Sequence, residues 1–159
     1  MGAAADPFIG PTGVDILLSQ THAEAVASRV DETRYREIIT AVIKEVAEMP
    51  NVVILGRGSQ VILKDLPHAL HVKLTAPHRA KVEQTMVSEK LGREGAEKLV
   101  AEKDRQRREY LKKFFKADAD DPTIYDLIIN TGRGTYTSAA RIIASAALEK
   151  EIAPTTAPA

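Results

Sequence analysis

The stretch Lys103-Asp104-Arg105-Gln106-Arg107-Arg108 packs its cations around one carboxylate, with Lys112, Lys113 and Lys116 further on. Guanidinium forks in such a cluster suit phosphate, because Arg offers several donors in a rigid plane and keeps its charge. Asp104 is placed to hold one of those forks from behind. The other informative position is Arg57, set between Gly56 and Gly58 directly after the branched run Val52-Val53-Ile54-Leu55. Glycines permit positive φ and let a ligand approach the backbone, while the arginine would reach toward an anion. Taken alone, a Gly-x-Gly of this length fits a tight turn with a surface arginine equally well.

The cationic stretch lies on a helix predicted from Arg93 to Phe115. Its apolar stripe runs through Ala96, Leu99, Val100, then Tyr110, Leu111, Phe114 and Phe115, with a gap in the middle. Continuing the three-and-four spacing across the gap lands on Lys103 and Arg107. Either these cations snorkel outward or they face something anionic. Glu97, Glu102 and Glu109 also stand at helical spacing, so a solvated, salt-bridged face accounts for the same pattern.

Other chemistry finds little support. His22, His68, His71 and His78 show no metal-ligand spacing with nearby carboxylates. Asp118, Asp120 and Asp121 lack the glycine and distal glutamate of a calcium loop and read as a solvated loop. Ser59 and Ser138 have no visible base partner, which argues against a hydrolase.

The elements that must position the cations follow from periodicity. From Asp31 to Met49 the residues Tyr35, Ile38, Ile39, Val42, Ile43, Val46 and Met49 recur at helical steps, with Asp31 placed to cap. Pro50-Asn51 stops that helix, and Val52 to Leu55 then reads as a buried parallel strand. Leu70 to Leu74 reads as another strand, followed by a helix from about His78 to Lys90. Tyr125 to Ile129 is a third, leading to a helix from Ser138 to about Lys150 with Thr137 as its cap. Strands alternating with helices predict an α/β fold with a parallel sheet in three layers. Ligands collect beyond the carboxyl ends of such strands, here Gly56-Arg57-Gly58, Thr75-Ala76-Pro77 and Asn130-Thr131.

The chain has 159 residues, about one domain's worth, and its 22 Lys plus Arg balance 22 Asp plus Glu. No basic excess points to nucleic acid. It contains no cysteine, so no disulfide framework or thiolate site is available. No run approaches the roughly 18 apolar residues of a membrane helix, and the start has no secretory pattern, so a cytoplasmic protein without a membrane partner is expected. Residues 1–13 are too rich in Gly and Pro for a regular element and are expected to be a flexible N-terminus, and 151–159 a disordered tail. Residues 14–150 would then form one domain.

Four segments, taken in order, resemble the cytidylate-kinase-like family, which is related to the P-loop nucleoside-monophosphate kinases. They are Val52 to Gly58, Leu70 to Pro77, Asp104 to Tyr110, and Tyr125 to Gly132. By that resemblance Arg57 would contact the acceptor monophosphate or its nucleoside. The region of about 88–121 would form a helical lid, with Asp104 and Arg107 matching the lid's Asp-x-x-Arg and Arg107 binding the transferring phosphate. Asn130 and Thr131 would lie near the donor's adenine. The resemblance implies ATP and Mg2+ as cofactors, a nucleoside monophosphate or another phosphate ligand as partner, and phosphotransferase chemistry. The chain departs from the pattern at two places where relatives often carry arginine, Val100 and Lys81. Lysine keeps the charge but loses the bidentate fork.

No stretch fits the Walker A pattern Gly-x-x-x-x-Gly-Lys-[Ser/Thr], so the donor's β- and γ-phosphates have no visible cradle. The strand that carries this loop lies centrally in such a sheet, and its loss would leave ladder groups exposed. Val14 to Leu18, with a short helix from His22 to Arg29, is expected to replace it, or a homo-oligomeric contact does, or the family's first half has been lost from the gene. The implied readings are a degenerate kinase-like domain that still binds a nucleotide or phosphate through Arg57 and the lid cations, an active (d)CMP or other monophosphate kinase with a partner-supplied phosphate loop, and a non-enzymatic oligomeric or regulatory module.

Overall fold

A computed structural model of the chain describes residues 31–152. The expectations for residues 1–13, for the strand at 14–18, for the helix from His22 to Arg29 and for the tail beyond residue 152 lie outside the described residues. The described residues fall into two compact units, one ending at Ile62 and one beginning at Leu63.

In the first unit, α1 (Glu32–Ala47) buries Tyr35, Ile39 and Ile43, a line four residues apart along one side of the helix. The expected stripe is wider than the buried one, since Ile38, Val42 and Met49 stay exposed. Asp31 occupies the N-cap position, but its side chain makes no capping bond. Its backbone carbonyl instead accepts from Tyr35 N at 2.9 Å. The run Val52 to Leu55 forms no strand, contrary to expectation. Val53 and Leu55 are 86% and 84% exposed, while Val52 and Ile54 are half-buried. That alternation marks a segment covered on one side, whereas branched residues make a strand only when a neighbour completes the ladder. α2 (Ser59–Ile62) follows a turn at Gly56 to Ser59 and packs on α1.

In the second unit, β1 (Val72–Thr75) and β2 (Leu127–Asn130) pair in parallel, Val72 opposite Leu127 and Thr75 opposite Asn130. Both strands start two residues later than the sequence predicts. Between them run α3 (His78–Ser88) and α4 (Arg93–Phe115), which pack together as a helical hairpin. Val82, Ala96 and Val100 form its buried core, with Met86 against them. At the far end of α4, Lys116 turns into the left-handed region, and Ala117 N reaches back to Leu111 O at 3.3 Å, closing the helix. α5 (Tyr136–Ile152) completes the unit. Its cap is Thr135, not Thr137: Ser138 N donates to Thr135 Oγ1 and Thr135 N donates to Ser138 Oγ, both at 3.1 Å. The reciprocal pair needs a spacing of three residues, which only Thr135 offers to Ser138. The architecture is mixed α/β with a small parallel sheet.

The starts of the two strands are joined by one carboxylate. Asp126 Oδ2 accepts the backbone N–H of His71 at 2.7 Å and the Lys150 ammonium of α5 at 2.8 Å. Burial pushes the Asp126 carboxyl up, but the His71 N–H and Lys150 outweigh it and hold the group below its ordinary value. A depressed carboxylate contributes stability above its unfolded pKa, about 3.9, and that contribution is lost as pH falls through the folded value. Asp126→Asn should therefore cost about 1–2 kcal/mol at pH 7, and the variant and the parent should converge on acidification. Urea denaturation at pH 7 and at successive values below 4 checks this.

The carboxyl ends of the strands are also tied. Thr131 Oγ1 donates to Thr75 O at 3.2 Å, and a Cβ built at Gly132 would collide with Pro77 Cδ. Gly132→Ala should cost roughly 1–3 kcal/mol, as overpacking does, read as a lower denaturation midpoint with an unchanged slope.

Candidate phosphate site

The inward side of α4 can be followed residue by residue. Ala96, Val100, Leu111 and Phe114 are buried, and the same line, continued by steps of four and three, passes through Asp104 and Arg107. Lys103, expected in that seam, lies beside it. Its ammonium is half exposed and stands 3.4 Å from Glu89 Oε1 at the hairpin's tip. The seam position goes to Asp104 because a carboxylate 26% exposed has a partner there: Lys81 Nζ of α3 at 2.7 Å. Arg107 Nη1 stands 4.0 Å from the other Asp104 oxygen. Asp104 thus holds one cation from each helix.

Arg107 is 66% exposed although it sits on the line that is buried both before and after it. Its long side chain carries the guanidinium from that line out to solvent. An exposed guanidinium with a carboxylate 4.0 Å away can receive an oxyanion.

The remaining predicted residues separate clearly. Arg105 is engaged by Glu102 at 2.7 Å and by Glu109 at 2.8 Å, one turn away on either side. Those bonds raise its pKa and lower that of Glu102. Arg105 thus lies on an exposed, salt-bridged face. Arg108 is exposed on the outer side and lends its field to Asp120. Lys73 of β1 gives Asp120 its main partner, Nζ donating to Oδ1 at 2.9 Å, and that bond chiefly holds the carboxyl below its ordinary range.

Asp120 and Lys73 were not singled out in the sequence as a pair. A lysine inside the strand segment Leu70 to Leu74 was the one available signal. The acidic run is also more than a solvated loop. Asp118 Oδ1 accepts from Asp120 N at 2.9 Å, and Asp121 caps the 3-10 turn Pro122–Ile124 through Thr123 N at 2.8 Å.

Asn130 and Thr131 stand beside Thr75 to Pro77 at the carboxyl ends of the strands, as expected. Their side chains serve the turn, Asn130 Oδ1 accepting from Gly132 N at 3.0 Å and Thr131 bonding to Thr75 O. Gly56, Arg57 and Gly58 belong to the first unit. All three have positive φ, 75°, 58° and 71°, and Ser59 N donates to Gly56 O at 3.1 Å. This is a tight turn of the kind that requires left-handed backbone at both central residues. Arg57 holds it without being a glycine, at a cost of roughly 1–2 kcal/mol.

No three His, Asp or Glu side chains gather as a metal site among the described residues, and Asp104 and Asp120 are each engaged by a lysine. Among the described residues no helix is long and apolar enough to cross a membrane.

A family model described as the cytidylate kinase-like family matches residues 11–133. A cytidylate kinase from Methanocaldococcus jannaschii is 26% identical over 136 residues, covering 84% of this chain and 73% of that protein. A cytidylate kinase from Pyrococcus horikoshii is 36% identical over 89 residues, 56% of this chain and 45% of that one. A uronate isomerase from Corynebacterium glutamicum is 34% identical over 84 residues, 53% of this chain but 16% of its own length. The chain thus spans less than half the length of two of these three relatives. Among solved structures, an uncharacterized protein from Eubacterium ventriosum shares the fold with a TM-score of 0.65 at 20% identity, over 86% of this chain and 77% of that one.

Proposed function

The chain belongs to the cytidylate kinase-like family, and from that premise we propose that it binds the phosphate of a nucleotide with the cations of its α3–α4 hairpin, as a degenerate kinase-like domain. The observation that carries this reading is Arg107, inward in register yet open to solvent, with Asp104 bridging it to Lys81. Arg107 supplies the fork, and Lys81, paired with Asp104, stands beside it. Arg108 enlarges the positive field, while Lys103 faces Glu89 and Arg105 is neutralised by its two glutamates.

The hairpin is the lid in this reading, and β1 and β2 are two neighbours in the three-layer sheet of a phosphate-loop kinase core. Arg57 receives the acceptor's phosphate or nucleoside in this reading, a role that rests on the family likeness. The backbone around Asn130 and Thr131 borders the base. Cations preset around a phosphate are what phosphoryl transfer needs, since positioning and charge neutralisation do most of its catalysis. The phosphate loop that would hold a donor's β- and γ-phosphates has no counterpart in the sequence, so binding without turnover is the expected behaviour.

Calorimetric titration with CMP, dCMP and ATP tests the reading. Saturable heat from at least one of them is expected, and silence from all three at millimolar concentration ends it. An active (d)CMP kinase is the second reading, favoured by the likeness to two cytidylate kinases. ADP release from ATP in the presence of CMP, measured with the protein alone and in cell extract, separates the two.

A further inference from the structure

The α3–α4 hairpin has two feet, and both stand on β1. The first is direct: Thr75 ends the strand, Ala76 and Pro77 follow, and α3 begins at His78. Thr131 fastens it by bonding to Thr75 O. The second foot is the segment after α4, from Ala117 to Asp121. Lys73, two residues back along the same strand, holds it by donating to Ala119 O at 2.7 Å and to Asp120 Oδ1 at 2.9 Å.

Three features make this more than a surface ion pair. The Lys73 side chain is 21% exposed, and Ala119 beside it is buried. The ammonium also lies 5.4 Å from the centre of the Tyr125 ring, and Tyr125 Oη donates to Ala119 O at 3.1 Å, so that one carbonyl accepts from both side chains. Asp120 feels the charges of Arg108 on α4 and Lys81 on α3 as well as Lys73.

We infer that Lys73 is a positioning residue, the clamp that fixes the second foot of the hairpin to β1 and so sets the stance in which Arg107 and Lys81 meet an anion. Its effect on ligand binding rests on the proposed function; its effect on the hairpin does not. With both feet on one strand, the hairpin is anchored to β1 at both ends, and releasing the second foot frees the far end of α4 while α3 stays attached. The lysine touches neither Arg107 nor Lys81, so it acts through the loop and the helix.

Amide hydrogen exchange on the full chain without ligand tests the clamp. Lys73→Met should speed exchange of the protected amides in α4 and the loop to Asp121 by roughly tenfold, as loss of a charge-assisted, partly buried bond does. Amides of β2 and α5 should be unchanged. Lys73→Arg should restore the parent pattern, because it can reach the same two oxygens. Asp120→Asn, which keeps the Ala119 bond, should show a smaller effect in the same region and serves as the readout if the Met variant does not fold.

Unchanged exchange in α4 in both variants overturns the inference, and so does an equal rise across β2 and α5, which would make Lys73 a general stabiliser. CMP titration of the same variants is a separate arm. If the parent binds no CMP, the phosphate reading falls while the exchange result still decides the clamp. If the parent binds and Lys73→Met binds equally well despite a loosened α4, the link between stance and ligand is overturned.

Discussion

Arg107→Met is expected to weaken binding of the best nucleotide ligand by roughly ten- to a hundredfold while leaving the denaturation midpoint almost unmoved. A hydrogen bond to a charged partner is worth about 1.5–3 kcal/mol, and the methionine removes both the charge and the fork. The folded protein loses little, because the contact with Asp104 is 4.0 Å long and Arg107 is largely exposed. Such pairs contribute about 0–1 kcal/mol. Arg107→Lys should fall between parent and Met, since the ammonium keeps the charge without the bidentate geometry. Arg105→Met provides the contrast: its guanidinium is spent on Glu102 and Glu109, so affinity should change less than twofold. Calorimetry on the three variants reads all of this. Parent-like affinity in Arg107→Met would show that the phosphate does not go to Arg107.

The difference between Arg105 and Arg107 also shows what could be read in advance and what could not. Helical period is a local property, and it placed α4 at Arg93–Phe115 to the residue and put Arg107 in the seam. Within that seam, Lys103 and Asp104 are neighbours in sequence, and the choice between them depends on Lys81 of α3, 23 residues away. The same limit explains the run Val52 to Leu55. Its residue types favour extended backbone, but a strand is a relation to a neighbour, and no described strand pairs with it. Lys73 and Asp120 are separated by 47 residues, a distance over which no periodicity speaks.

Thr135 differs again, because the reciprocal capping bonds were readable from Thr135-Tyr136-Thr137-Ser138. The expectation took the residue just before the apolar run instead of the one three before Ser138. The departures at Lys81 and Val100 gain a physical meaning from the coordinates. Val100 fills the hairpin core, and Lys81 replaces a fork with a single ammonium that Asp104 then occupies.

That core is small, which leads to the largest expected effect on stability. Val82 is 1% exposed and sits against Ala96 and Val100. Val82→Asp would place a carboxylate there with no cation within the core to meet it, a penalty of about 3–5 kcal/mol. Three small side chains and part of Met86 bury too little apolar surface to absorb that cost at about 25 cal/mol per Å2. The hairpin should therefore open, while β1, β2 and α5 keep the Asp126 tie and the Thr131 bond, neither of which involves α3 or α4.

The expected signature is a large loss of far-ultraviolet helical signal, new protease cleavage between residues 78 and 115, and retained protection in β2. Val82→Ala, which removes two methyl groups, should cost about 2 kcal/mol and leave the hairpin formed. If Val82→Asp instead melts the strands together with the hairpin in one transition, then the hairpin and the sheet fold as a single cooperative unit. A lid that moves on its own would then have no place in this protein, because the interactions that hold its two helices together would be the same ones that hold the domain.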